Sequence, residues 1–124
     1  MKFTAIGENH LYAKVYARGK RSVGRFAVVY VLPDLRAKKL AAANPQKCKI
    51  NRIGLTVSKK LGGAVERNRC KRIIREGWRA VERERSVRCG FLVVIAARQA
   101  AVTATSADLK KDIEFSLEAL GMLL

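Results

Sequence analysis

The middle of this chain reads as strand, turn, long amphipathic helix and strand, and that order restricts the fold more than any other feature. From Ile50 to Ser58 the residues alternate. Ile53, Leu55 and Val57 share one face, and Arg52, Gly54 and Thr56 share the other, a flat and basic face suited to RNA. Gly62-Gly63 marks a turn. From about Ala64 to Arg85 the apolar positions recur at helical spacing, with Cys70, Ile73, Ile74, Gly77 and Val81 on one stripe. Asn68, Lys71, Arg72, Arg75 and Arg79 cluster opposite, and Arg67 and Arg69 flank the stripe. Gly77 inside a helix costs about 1 kcal/mol against alanine, so close packing on a sheet is expected there. Gly90 then precedes Phe91–Ala97, apolar almost throughout, which predicts a central strand covered on both faces.

The flanks add further elements. Glu8–Arg18 reads as a short helix carrying Leu11, Tyr12, Val15 and Tyr16, with Gly19 as its C-terminal cap. Lys20–Gly24 reads as a basic turn. Arg25–Leu32 reads as a strand with Phe26, Val28 and Tyr30 on one face and Ala27, Val29 and Val31 on the other, stopped by Pro33-Asp34. Leu35–Lys49 reads as a loop connecting antiparallel strands. Thr105 or Ser106 begins a C-terminal helix, with Asp108 near its positive end and Leu109, Ile113, Leu117 and Leu120 as its apolar side. The predicted order is helix, strand, strand, helix, strand, helix, with room for a further short strand. A chain of 124 residues fits a single domain, 1–124.

The charge is extreme for a chain that can also bury a core. There are 26 Lys plus Arg against 10 Asp plus Glu, a net charge of +16, with 49% hydrophobic residues. That apolar content argues against a disordered basic tail. Self-repulsion on this scale destabilises a compact state unless an anionic partner neutralises it. A nucleic acid does so while releasing its own counterions. Cys48, Cys70 and Cys89 are widely spaced and odd in number, without a CxxC pair, and His10 is the only histidine. Reduced thiols acting as small apolar residues are expected, rather than a disulfide framework or zinc site. The first residues lack the apolar run of a secretory signal, and Phe91–Ala97 is too short to span a bilayer. A soluble cytoplasmic protein is expected, with no membrane partner and no small-molecule substrate.

Exposed helices normally mix charge signs so that residues four apart attract. Here Asn68, Lys71, Arg72, Arg75 and Arg79 set like charges side by side, with Glu82 the only acid near that arc. Arginine suits bidentate phosphate contacts. An RNA-facing surface explains this better than a merely solvated face. Tyr12, Tyr16, Phe26 and Tyr30 gather in one short region. A first helix laid across the first strand would bring them into a groove bordered by Arg18, Lys20, Arg21 and Arg25. Rings that stack bases beside cations that hold phosphates make a single-strand site. The alternative is that the rings are core. That is the simpler reading for Phe26, and spacing alone leaves it open for the tyrosines. Catalytic constellations are missing: there is no histidine beside a cysteine or serine motif, no Walker-type loop and no acid cluster for catalytic metals.

The run Arg52–Glu76 resembles the signature of the protein subunit of bacterial ribonuclease P. Arg67-Asn68-Arg69, Lys71-Arg72 and Arg75-Glu76 match that family's basic helix, and Arg52-Ile53-Gly54 and Ser58-Lys59-Lys60 match its preceding strand and turn. Tyr12, Val15, Tyr16 and Gly19 resemble its first helix, Tyr30 its strand aromatic, and Val94-Ile95-Ala96 its late strand. The resemblance implies an α/β (α+β) two-layer sandwich. Its small mixed sheet carries an N-terminal helix, a central basic helix in a left-handed βαβ crossover, and a C-terminal helix. The general rule favours the opposite hand. It also implies that a catalytic RNA subunit is the ribozyme. That RNA cleaves precursor tRNA with Mg2+ held mainly by the RNA and the substrate, and the protein binds the RNA and the 5′ leader. Carried onto this chain, Arg52, Lys59, Lys60, Arg67, Asn68, Arg69, Lys71, Arg72 and Arg75 would face RNA. Tyr12, Tyr16, Phe26, Tyr30 and Arg98 would bind the leader.

The chain departs from the family pattern at Gly63, where asparagine is usual, at Cys70, where a branched aliphatic is usual, and at Trp78, where phenylalanine is common. Gln99 follows Arg98 where the family often has lysine, so a cationic leader contact there would rest on Arg98. The rival reading is a ribosomal or other structural RNA-binding protein with no role in cleavage. A stand-alone nuclease lacks its acids and histidines.

Overall fold

A computed structural model describes residues 3–7, 9–35 and 51–124. Most of the loop expected over Leu35–Lys49 lies outside these residues, as do Glu8 and Cys48. The elements are β1 (Phe3–Ala5), α1 (Asn9–Arg18), β2 (Lys20–Val23), β3 (Ala27–Pro33), β4 (Asn51–Thr56), α2 (Ala64–Glu84), β5 (Phe91–Ala97) and α3 (Ser106–Ala119). Short 3-10 turns at Lys59–Leu61 and Gln99–Thr103 precede α2 and α3.

The strands form one mixed sheet in the order β1-β4-β5-β3-β2. β5 lies at its centre, parallel to β4 and antiparallel to β3. Leu92 through Ile95 are accordingly at most 2% exposed, as an unbroken apolar run predicts for a strand covered on both faces. β4 and β3 run in opposite directions but do not touch, because β5 separates them. β4, α2 and β5 thus form a crossover between neighbouring parallel strands.

Lys20–Val23 corrects the expected basic turn. It is an edge strand paired antiparallel to β3, Lys20 opposite Val31 and Val23 opposite Val28. Three of its four side chains are exposed, so no buried face imposes the period of two that marks a strand in sequence. Its cations blunt a free sheet edge.

The sheet carries helices on both faces. One face packs Ala27, Val29, Val31 and Ile95 against Ile74 and Trp78 of α2 and Leu109 and Ile113 of α3. The other packs Leu92 and Val94 under Leu11 and Val15 of α1. Only those two side chains of α1 are buried, worth about 1.5–3 kcal/mol each by apolar burial. The first helix is therefore held far more lightly than α2.

The apolar stripe of α2 is buried as its spacing requires, and Trp78 joins it at 1% exposure. Gly77 packs on a helix rather than on the sheet. A Cβ there would lie 2.9 Å from the Lys110 backbone nitrogen and 3.0 Å from the Leu109 Cβ, so glycine is what lets α2 and α3 approach. Glu114 accepts from Arg85 at 3.1 Å, and Lys110 pairs with Glu84, tying the same two helices. α3 begins with a reciprocal capping box. Thr105 Oγ1 accepts from the Asp108 N–H at 3.2 Å, and Asp108 Oδ2 accepts from the Thr105 N–H at 3.0 Å. Cys70 is buried and its thiol is pushed up by that burial, partly offset by Arg69. Cys89 is exposed.

Candidate nucleic-acid interface

The α2 helix separates its two jobs by angle. Cys70, Ile73, Ile74, Gly77, Trp78 and Val81 face the core, while Asn68, Arg72, Arg75 and Arg79 are exposed on the far side. Lys71 is half-buried at the edge of that arc. Arg72 donates to Glu76 at 2.9 Å, one turn along, so Glu82 is not the only acid near these cations. Exposed i,i+4 pairs are weak, and a phosphate can displace this one at small cost.

Lys59 and Lys60 stand exposed on the 3-10 turn before α2, and Ser58 Oγ caps that 3-10 turn by accepting from the Lys60 N–H at 3.2 Å. Gly62 follows at φ 142°, a conformation side chains disfavour, and sets the chain into the helix. Gly63 is the N-cap and offers no side-chain acceptor, so the first N–H groups of α2 have no cap from it.

Two of the expected RNA-facing arginines turn inward. Arg52 is 6% exposed, with its guanidinium forked onto Asp34. The flat face of β4 is therefore not a basic surface. Gly54, also on it, is covered by Tyr12 of α1, and a Cβ there would sit 2.5 Å from that ring. Arg69 is half-buried. Its Nη1 donates to Val102 O at 2.9 Å and its Nη2 to Ala104 O at 2.6 Å, bracing the turn between β5 and α3. Arg67 is half-buried, with Nε at 3.4 Å from Gly63 O, and keeps its place at the margin of the arc.

The tyrosines converge, as the groove required. Tyr16 and Tyr30 meet edge to face, ring centroids 4.9 Å apart at 88°. The Tyr16 hydroxyl lies 2.8 Å from Thr56 Oγ1, yet the residue is 40% exposed. Tyr12 is half-buried, and burial raises its hydroxyl pKa, with Tyr16 adding to the rise and a backbone hydrogen bond at Leu55 opposing it. Thr56 was not singled out by spacing, because its role needs a helix residue forty positions away.

Phe26 does not join this groove. It packs with the core on the α2–α3 face, and Arg25 lies over its ring at 5.3 Å. The reason is a bend before β3. Asp112 of α3 accepts from the backbone N–H groups of Arg25, Phe26 and Ala27 at 2.8, 3.1 and 3.0 Å, pulling that turn onto the helix. Arg98 is exposed overall and donates to Gly24 O at 2.6 Å, so it braces the same turn. Arg18 and Lys20 line a different cavity, so the four expected cations do not border the tyrosines together.

A cavity of about 260 Å3 is lined by Tyr12 of the tyrosine set and by Lys71 and Arg75 of α2, with Ile53, Leu55 and Trp78 between them. Rings and cations around one opening suit an unstacked base and its phosphate.

The family model described as Ribonuclease P matches residues 2–121. The chain belongs to the ribonuclease P protein family. The ribonuclease P protein component of Symbiobacterium thermophilum is 38% identical over 112 residues, covering 90% of this chain and 86% of the relative. That of Dehalococcoides mccartyi strain CBDB1 is 35% identical over 106 residues, covering 86% of this chain and 75% of the relative. Among solved structures, the Staphylococcus aureus RNase P protein superposes with a TM-score of 0.73 at 27% identity, covering 100% of this chain and 99% of the other. The Thermotoga maritima protein, at 18% identity and a TM-score of 0.68, shares the fold.

Proposed function

We propose that this chain is the protein subunit of a bacterial ribonuclease P holoenzyme, assisting removal of the 5′ leader from precursor tRNA. Family membership supports an RNA partner and a role in tRNA processing. The observation that carries the finer reading is the exposed α2 arc of Asn68, Arg72 and Arg75, of which Arg75 shares a cavity with Lys71 and Tyr12, beside the Tyr16–Tyr30 pair. On this reading Lys59, Lys60, Asn68, Lys71, Arg72 and Arg75 meet the catalytic RNA. Tyr12, Tyr16 and Tyr30 receive the leader.

The chemistry is assigned to the RNA subunit, with Mg2+ held by RNA and substrate phosphates. On this reading the protein's part is binding and orientation; among the described residues no three His, Cys, Asp or Glu side chains gather to hold a metal. Among the same residues no helix is long and apolar enough to cross a membrane. We place the protein in the cytoplasm, with its tRNA substrate.

Cleavage of a precursor tRNA at low magnesium tests this. The protein should stimulate the catalytic RNA and do nothing alone. No stimulation would favour a structural RNA-binding protein, and cleavage by the protein without RNA would make it a nuclease in its own right.

A further inference from the structure

A second cavity, of about 360 Å3, opens at the opposite end of the sheet. The Tyr16 hydroxyl sits over Thr56, in the row that runs Thr56–Ala96–Val28. The second cavity lies where Pro33 pairs with Phe91. Five residues of strand rise separate those rows, about 17 Å. Exposed Arg18, Lys20 and Arg88 line it together with half-buried Leu32, Phe91 and Leu120.

We propose that this cavity holds one unpaired RNA nucleotide, with its base against Phe91 and the apolar wall and its phosphate among the three cations. The inference rests on the reading of the chain as a ribonuclease P subunit. Three observations support it. The volume falls in the range of small-ligand sites and is far too small for a duplex. Among the described residues no acid lines it. Asp34, next in the chain to Pro33 of the wall, is committed to Arg52 and does not offset the cations. Arg18 ends α1, where a cation complements the helix dipole, and Lys20 stands exposed on the edge strand, so both keep their charges at the surface beside the cavity. Arg88 is exposed while its Nε donates to Gly121 O at 2.9 Å, which holds the guanidinium at the rim. Rings beside cations are the recurrent chemistry of single-strand binding.

The nucleotide has two possible sources, the catalytic RNA and the upstream part of the leader. Photocrosslinking of the wild-type holoenzyme, with 4-thiouridine placed either in the catalytic RNA or in a long leader, should give an adduct within Arg88–Leu92. The RNA that crosslinks identifies the source. An R18A/K20A double variant should bind that same RNA roughly tenfold more weakly, with a flatter salt dependence, and R18K/K20R should restore it. No adduct in that segment, or a double variant that binds both RNAs as the wild type does, overturns the proposal. A wild-type protein that fails to stimulate cleavage at all refutes the ribonuclease P reading instead.

Discussion

Arg52 grips Asp34 with two nitrogens, Nε to Oδ2 at 2.7 Å and Nη2 to Oδ1 at 2.9 Å, and the two side chains are 8% and 1% exposed. The pair joins the end of β3 to β4, strands kept apart by β5. Removing one partner leaves a buried charge uncompensated, which typically costs about 3–5 kcal/mol. Asp34→Ala should therefore destabilise the protein by that amount in urea unfolding. Replacing both residues by apolar ones of similar volume should recover most of the loss. A D34A protein as stable as wild type would show the pair to be incidental.

Arg69 and Arg72 should separate stability from RNA binding. Arg69 donates to two backbone carbonyls of the β5–α3 connection, so Arg69→Ala should cost about 1–3 kcal/mol of stability. It should barely change the salt slope of RNA binding. Arg72 is exposed and pairs with Glu76 on its own helix face. Arg72→Ala should change stability by about 0.5 kcal/mol or less and lower the salt slope by about 1. Equal slope changes in both variants would put Arg69 on phosphate as well.

The seat of α1 depends on a missing side chain. A Cβ at Gly54 would meet the Tyr12 ring at 2.5 Å, and α1 has just two buried side chains to resist displacement. Gly54→Ala should cost about 1–3 kcal/mol by overpacking. It should also weaken binding of leader-bearing precursor more than that of mature tRNA, by moving the groove's wall. Tyr12→Leu in the same chain should restore stability but not leader binding. Restoration of both would remove Tyr12 from the leader site.

Acid should loosen the start of α3. Asp108 is held below its ordinary value of 3.8, first by the backbone hydrogen bond from Thr105 and then by the Thr105 hydroxyl, with Lys111 and Arg25 adding to it. A carboxylate with a depressed folded pKa contributes stability that is fully present above its unfolded pKa. That contribution disappears as pH falls through the lower folded value. Wild type should lose its advantage over Asp108→Asn below about pH 4 in thermal melts across acid pH. Parallel melting curves down the whole acid range would contradict this.

Much of the scaffold was legible because it is periodic. Cys70, Ile73, Ile74, Gly77 and Val81 are buried where a helix stripe must be, Leu92–Ile95 where a doubly covered strand must be, and Thr105–Asp108 form the cap their spacing allows. β2 was not legible, since an edge strand with no buried face carries no alternation. In the candidate site, the exposed arc of α2 and the convergence of Tyr12, Tyr16 and Tyr30 followed from spacing and resemblance. The inward turn of Arg52 and Arg69 did not, because nothing local distinguishes an arginine that meets a phosphate from one that meets a carbonyl.

The sequence by itself determined the long amphipathic helix, the central apolar strand and the need for a polyanionic partner, all properties of local pattern or total charge. Tertiary structure alone decided that β5 separates β3 from β4, that Gly77 meets α3 and that Phe26 leaves the tyrosine groove. It alone decided which cations stay exposed. The reason is physical: those outcomes depend on partners such as Asp34 for Arg52, 18 positions away, or Thr56 for Tyr16, 40 positions away, which meet only when whole surfaces pack.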